Sequence, residues 1–325
     1  MNQSKFSLAD VIGVLAALAF GFVSFMGANF FNIDNEKVWG MPHTTGCIII
    51  GVVCALLLFS SAFGAKHLKS TGHNFKTCFV LEVILLILFV IFAIFFASNS
   101  APFPHYFKVN EQESEINSKL KTSITQAENM FIEYETYAKN REYNYKNKLE
   151  SVANACMINQ RQCAAFGFDV ISNIPYSEQI DTKMFTVHAH LFPSNYSDTV
   201  THNGIKDVAT KWLQEAQITT SSWKPIGIVG VVNEIEKNST EWLNTLVQLS
   251  QVREQGDQVE SFSYKLSFGE VRTYFKLVSS PPVFAIIFAV MAYMLIIFSW
   301  LVTKRSTRSD LKALFGLKKS KGNEL

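Results

Sequence analysis

"CFVLEVILLILFVIF", residues 78–92, sets a single carboxylate, Glu82, in a run of side chains that otherwise shun water. A charge in hydrocarbon is costly and marks a working part by default, so the depth of Glu82 decides how the chain is read. The run belongs to a block, 78–97, of about the 20 residues a helix needs to cross roughly 30 Å of hydrocarbon. Blocks of the same character lie at 11–31, 41–63 and 283–302. Each is apolar on every side, whereas a helix of a soluble core carries an apolar stripe. Composition agrees, with 28 phenylalanines and only 17% charged residues. The expected fold class is an all-α membrane protein with four transmembrane helices, three N-terminal and one C-terminal.

Charge asymmetry orients the spans, because loops rich in Lys and Arg stay in the cytoplasm. Residues 64–77 carry Lys66, Lys69 and Lys76 with no acid, and the tail 303–325 carries Lys304, Arg305, Arg308, Lys312, Lys318, Lys319 and Lys321 against Asp310 and Glu324. The connection 32–40 has Asp34 and Glu36 against Lys37 and suits the other side. Four crossings then place both chain ends in the cytoplasm of a multi-pass inner-membrane protein, and residues 98–282 outside, in a periplasm or its equivalent. The first block reads as a span, since one Lys and Asp10 make a poor signal-peptide start and its apolar stretch is long for one.

Glu82 lies six residues past Lys76, about 9 Å along a helix, so it sits in the inner leaflet, within reach of headgroup water or a basic partner. A carboxylate paired to fix its helix is the plain reading. A proton relay needs further ionisable groups, and only His43, at the outer edge of the second span, is available. Asp10 suits the positive end of the first helix. Gly13, Ala17 and Gly21 in the first span, continued by Ser24 and Ala28, and Gly51 and Ala55 in the second, recur every fourth residue. Such faces let helices approach closely in a solvent as apolar as they are. The third and fourth spans, rich in Phe, Ile and Leu, look lipid-facing.

Residues 98–282 hold 17 Lys and Arg against 21 Asp and Glu, which excludes a nucleic-acid surface. The section is long enough for one domain with its own core. Ile116, Leu120, Ile124, Ala127, Phe131, Tyr134, Ala138, Tyr145, Leu149, Val152 and Cys156 repeat near 3.6, which predicts one helix over 109–159, about 75 Å if continuous. Further helices are expected over 177–190, 204–217 and 225–255, although "IGIVGVV" at 226–232 reads equally as a strand. "VESFSYKLSF" at 259–268 is a passable strand, and a last helix is expected from Phe268. An elongated helical bundle follows. Cys156 and Cys163 would lie about 10 Å apart along one helix, too far for a bridge, so a disulfide demands that the helix end between them. Otherwise they are small buried hydrophobes, and Cys47, Cys54 and Cys78 are packing residues in the spans.

His188 and His190, with His202 further on, are the nearest approach to a metal set, but on a helix the two imidazoles diverge and no acid or Cys stands at ligand spacing. His67 and His73 read as polar loop residues. Phosphate-binding, nucleophile-elbow and zinc-protease motifs are absent, so no enzyme, cofactor or metal is expected. In the tail, Leu311, Leu314 and Phe315 share one side of a short helix ringed by Lys312, Lys318 and Lys319. Such a basic segment lies on anionic lipid, holds a cytoplasmic partner, or serves only as a topological anchor.

A membrane base, a long outer bundle and no engine favour holding other proteins together. The chain's layout resembles the TssN family, membrane-complex components of the type VI secretion systems of Bacteroidota, in its order of parts: a hydrophobic N-terminal cluster, a large outer section and a basic end. The resemblance implies a partner-rich assembly of several inner-membrane proteins around an export path, and it carries over no site residues. The expected function is a non-enzymatic scaffold subunit of a multi-protein envelope complex, homo- or hetero-oligomeric. The second reading is a periplasmic ligand sensor acting through a separate cytoplasmic partner, since about 23 residues after the last span leave little room for an output domain. A channel is disfavoured by spans nearly free of polar groups, with Asn29 and Glu82 the only obvious pore-lining candidates.

Overall fold

A computed structural model describes residues 7–71, 75–156, 158, 160–171, 173–198, 200–268, 271–276 and 280–305. The chain is mostly helical and divides into two compact units, Met1–Ser114 with Arg272–Leu325, and Glu115–Val271. Sequence reasoning drew the boundaries at 97/98 and 282/283.

The first unit holds α1 (Leu8–Phe31), a hairpin of two-residue strands β1 (Lys37–Val38) and β2 (Met41–Pro42), α2 (His43–Ser70), α3 (Phe75–Phe96), α4 (Pro102–Glu111), all but the first residue of a 3-10 turn at Val271–Phe275, and α10 (Val283–Val302). Four of these helices, α1, α2, α3 and α10, are long and apolar enough to cross a membrane. The second helix overruns its expected end at 63 by two turns. Ala65, Lys66, Leu68 and Lys69 are good helix formers with no Pro among them, so the polar stretch continues the helix. Within the loop expected over 64–77, α2 runs on to Ser70 and α3 already begins at Phe75, so Lys66 and Lys69 stand on α2 while Lys76 stands on α3.

Small residues set the spacing of α1 and α2. A Cβ built on Gly21 would lie 2.8 Å from the Gly51 carbonyl oxygen and 2.8 Å from the Ala55 Cβ, and one on Gly51 would lie 2.5 Å from the Gly21 oxygen. Around this contact Phe20, 1% exposed, stacks on Phe103 of α4 at 4.3 Å and meets Tyr293 of α10 at 5.3 Å. The Tyr293 hydroxyl donates to the Ala93 carbonyl of α3 at 2.9 Å, so all four long helices and α4 share one centre. Pro102 at the first position pre-sets the start of α4. In the hairpin Trp39 and Gly40 both have positive φ, 54° and 78°, the pattern of a two-residue turn that follows the strands' own twist.

The second unit holds most of α5 (Glu113–Ala155), then α6 (Gln160–Ala165), α7 (Tyr176–Leu191), α8 (Ile205–Ser221) and α9 (Pro225–Gln251). The expected 109–159 helix breaks at Gln112, the C-cap of α4, and ends at Ala155. Its stripe from Ile116 to Val152 is buried as the 3.6 period requires. "IGIVGVV" is helical: Pro225 opens α9, and Ile228, Val232 and Ile235 bury one face at helical spacing. "VESFSYKLSF" is neither helix nor strand, because side chains and not a neighbouring strand take up its backbone. The Phe262 N–H donates to Ser250 Oγ at 2.9 Å, the Ser267 N–H to Gln126 Oε1 at 3.2 Å, and the Glu260 carbonyl accepts from the Tyr137 hydroxyl at 2.7 Å. Of the helix expected from Phe268, the described residues show a 3-10 turn at Val271–Phe275.

Gly21→Val puts branched carbons where the α2 backbone already stands. We expect at least about 2 kcal/mol of destabilisation in a detergent melt of the full chain, and an unchanged midpoint would refute the close contact.

Candidate functional site

The charged residues of the span helices gather at one end of the bundle, where α1 and α3 start and α2 and α10 finish. Asp10, in the first turn of α1, is completely buried and accepts from Lys66 of α2 at 2.5 Å. Its carboxylate also takes the Ser299 hydroxyl of α10 at 2.5 Å and the Ser7 N–H and hydroxyl at 2.7 and 2.9 Å. Two turns into α3, Glu82 is 1% exposed and bound by both ends of the Arg305 guanidinium, each at 2.9 Å. Trp300 Nε1 donates to it at 3.0 Å. Lys69 lies 4.3 Å over the Trp300 ring and donates to the Trp300 carbonyl at 2.7 Å. Two acids and their cations thus lace four helix ends together.

Asp10 and Lys66 fell outside the expected spans, and the structure places both inside helices that qualify as spans. Glu82 has the basic partner its position allowed, and that partner is Arg305 of the basic tail. Lys304 beside it is exposed. Arg308, Lys312, Lys318 and Lys319, with Leu311, Leu314, Phe315 and His73, lie outside the described residues. The acceptor positions of Asp10 and Glu82 are filled by fixed donors, which is the chemistry of a staple. Gly13 faces α10, where a Cβ would lie 3.2 Å from the Ile296 oxygen, whereas Gly21 faces Gly51 and Ala55 of α2. Ala17, 3% exposed, belongs to the core between them. The small residues of α1 therefore serve two neighbours. At the opposite end of the bundle His43 bridges the Asn29 side chain at 2.7 Å and the Asn35 carbonyl at 2.8 Å.

His105 of α4 is 3% exposed, with Phe31 edge-on at 5.4 Å and, among the described residues, no partner for Nε2. Burial, with the Lys108 ammonium nearby, lowers its pKa from the ordinary 6.5 to about 4, against a hydrogen bond with the Phe275 backbone that favours the charged form.

In the second unit one cation organises the fold. Arg141 of α5, 2% exposed, donates to Asp257 Oδ2 from Nε at 2.8 Å and Nη2 at 2.6 Å, and to the Ser250 and Val252 carbonyls at 2.7 and 2.6 Å. It thereby closes the C-terminal end of α9. Sequence reasoning passed over Arg141, although it stands three residues after Ala138 and four before Tyr145, on the buried stripe itself. Burial pushes the Tyr145 hydroxyl up to about 12 while it donates to the Gln255 carbonyl at 2.8 Å. Cys156 and Cys163 are joined by a disulfide, their Cα atoms 5.5 Å apart, across the break between α5 and α6. His188 meets Glu142 at 2.8 Å and His190 meets Glu254 at 3.6 Å. Among the described residues no three His, Cys, Asp or Glu converge to hold a metal.

Compared with known proteins, the chain matches no family model, no curated protein and no solved structure.

Lys66→Met leaves the Asp10 carboxylate buried without its cation, so we expect a loss of about 3–5 kcal/mol in detergent melts. Asp10→Asn in that background should restore more than half, and a double variant no better than the single would show that the pair does not act as one.

For His105 the unfolded chain takes up a proton near pH 6.5 while the folded chain resists it down to about 4. Stability should therefore fall as pH drops across that window, by about 3 kcal/mol in all, and level off below it. His105→Gln should flatten this part of the pH profile, and parallel profiles for the two proteins would contradict the assignment.

Proposed function

We propose that the protein is a non-enzymatic scaffold subunit of a multi-protein envelope complex, held in the inner membrane by α1, α2, α3 and α10. The observation that carries the reading is the pairing of four apolar spans, cross-linked by staples whose polar atoms are filled, with a second unit that has its own core, its own buried ion pair and a disulfide. Such a pairing suits anchorage and display. The disulfide fits an oxidising compartment, which favours placing the Glu115–Val271 unit outside the cytoplasm. The basic residues Lys66, Lys69, Lys76, Lys304 and Arg305 cluster at the end where α1 begins and α10 finishes, and Asp34 and Glu36 stand at the other. By the positive-inside rule the basic end is cytoplasmic, and so are both termini. The layout shared with the TssN family makes a secretion-system membrane complex the leading assembly, with other membrane or periplasmic proteins as partners and anionic lipid beneath the tail.

Purification from native membranes in mild detergent should give a stable assembly containing other envelope proteins at fixed ratio, and a lone monomer or dimer would sink the scaffold reading. In the same cells an impermeant thiol reagent should mark Val200→Cys, a position 84% exposed, and spare Ser70→Cys until the membrane is opened. The reverse pattern would overturn the orientation. Melting of the full chain that shifts with a small ligand would favour the periplasmic sensor instead.

A further inference from the structure

The end of the span bundle opposite the staples carries a groove of about 570 Å³ between α2 and α3, roofed by the hairpin and the start of α4. Its floor is hydrocarbon, from Ile50, Val53 and Leu57 on one side and Phe92 and Phe95 on the other. Cys54 lies about 16 Å below the start of α2, so the groove reaches the depth of one leaflet. Its mouth is polar, with Lys37, Asn32, Asn35 and Ser100 among the lining residues. Trp39 stands at that mouth, 67% exposed, as amphipathic rings do at a headgroup layer.

We infer that this groove seats one acyl chain of an anionic glycerophospholipid, with the phosphate beside Lys37. The inference rests on the reading of the four helices as membrane spans. An opening at that depth faces hydrocarbon, and its walls offer water almost nothing to bond, so an apolar occupant is required. Charge selects an anion. Among the described residues no ion pair is made by Lys37, whereas Asp34 nearby is held by Arg272 at 3.5 Å and by Lys276, and Glu36 does not line the groove. The chain cannot fill the site from its described ends, since Ser7 and Arg305 are both at the stapled end of the bundle.

The test uses the full chain in mild detergent, titrated with palmitoyl-oleoyl phosphatidylglycerol or with its phosphatidylcholine counterpart and read by native mass spectrometry. One phosphatidylglycerol should survive gas-phase activation, bound about fivefold more tightly than phosphatidylcholine, the preference a single surface lysine gives. Val53→Trp, which fills the floor, should abolish retention, and Ile94→Trp, on an exposed face of α3 outside the groove, should not. Lys37→Glu, an exposed change that leaves the fold alone, should erase the preference between the lipids. Equal retention by wild type and Val53→Trp, or a preference untouched by Lys37→Glu, would overturn the site. A protein partner retained at fixed ratio and lost with Val53→Trp, in place of lipid, would overturn it as well. Release of the chain from membranes by alkaline carbonate would instead remove the span reading, and is scored separately.

Discussion

Two carboxylates withdrawn from water have to be met by cations, and in this bundle the cation that meets each one comes from another part of the chain. Asp10 and Glu82 lie early in α1 and α3, while Lys66 lies late in α2 and Arg305 just past α10. Antiparallel packing brings helix starts and helix ends to one level, so Asp10, in the first turn of α1 where the dipole is positive, faces Lys66 from the far end of α2. The same pairing fixes rotation, because Asp10 reaches Lys66 and Ser299 together only in one orientation of α1. Helices that are apolar on every side offer no single face for hydrophobic burial to select, so the specificity of the bundle falls to these polar contacts and to the close Gly21 and Gly51 approach.

The four long apolar helices were legible because spans announce themselves by length and composition, and Val283–Val302 coincides with its expected bounds. The stripe of α5 was legible for the same reason a period always is. Helix ends were not, because the end of an apolar run and the end of a helix are different events: the apolar run stops near Phe63, yet Lys66 and Lys69 extend α2 for two more turns. That error hid the staple, since it put Asp10 and Lys66 outside the spans, where exposed charges need no explanation. The partnership of Glu82 with Arg305, 223 residues away, is a tertiary fact that no local pattern encodes. "IGIVGVV" misled in the opposite sense, its β-branched residues suiting a strand until the burial of Ile228, Val232 and Ile235 decided for helix.

The second unit solves a related problem by other means. The chain leaves α9 with carbonyls that lack helical partners, close to the buried face of α5. Arg141 satisfies the Ser250 and Val252 carbonyls and binds Asp257 with the same planar group, a geometry a lysine cannot copy. Tyr145 takes the Gln255 carbonyl and Ser250 receives the Phe262 N–H, so the irregular segment after α9 is ordered by side chains one bond at a time. A segment secured in this way shows no periodicity, which is why 259–268 could be read as a strand from composition and is none.

The two ends of the span bundle therefore differ in kind. At the stapled end, charge pairs leave little freedom for the helices to slide or rotate, and the polar atoms that matter are spent on one another. At the other end the fit comes from aromatic rings, from a two-residue hairpin and from α4 lying across the helices, with the Gly27 backbone so close to Pro102 that a Cβ would fall 1.8 Å from its carbonyl oxygen. Such packing excludes water without filling every volume, and the groove beside α3 is what it leaves. One end of the helix bundle is thus fixed by charge and the other by shape: helix rotation is set where Asp10 and Glu82 meet their cations, and the space left open lies where aromatic packing takes over.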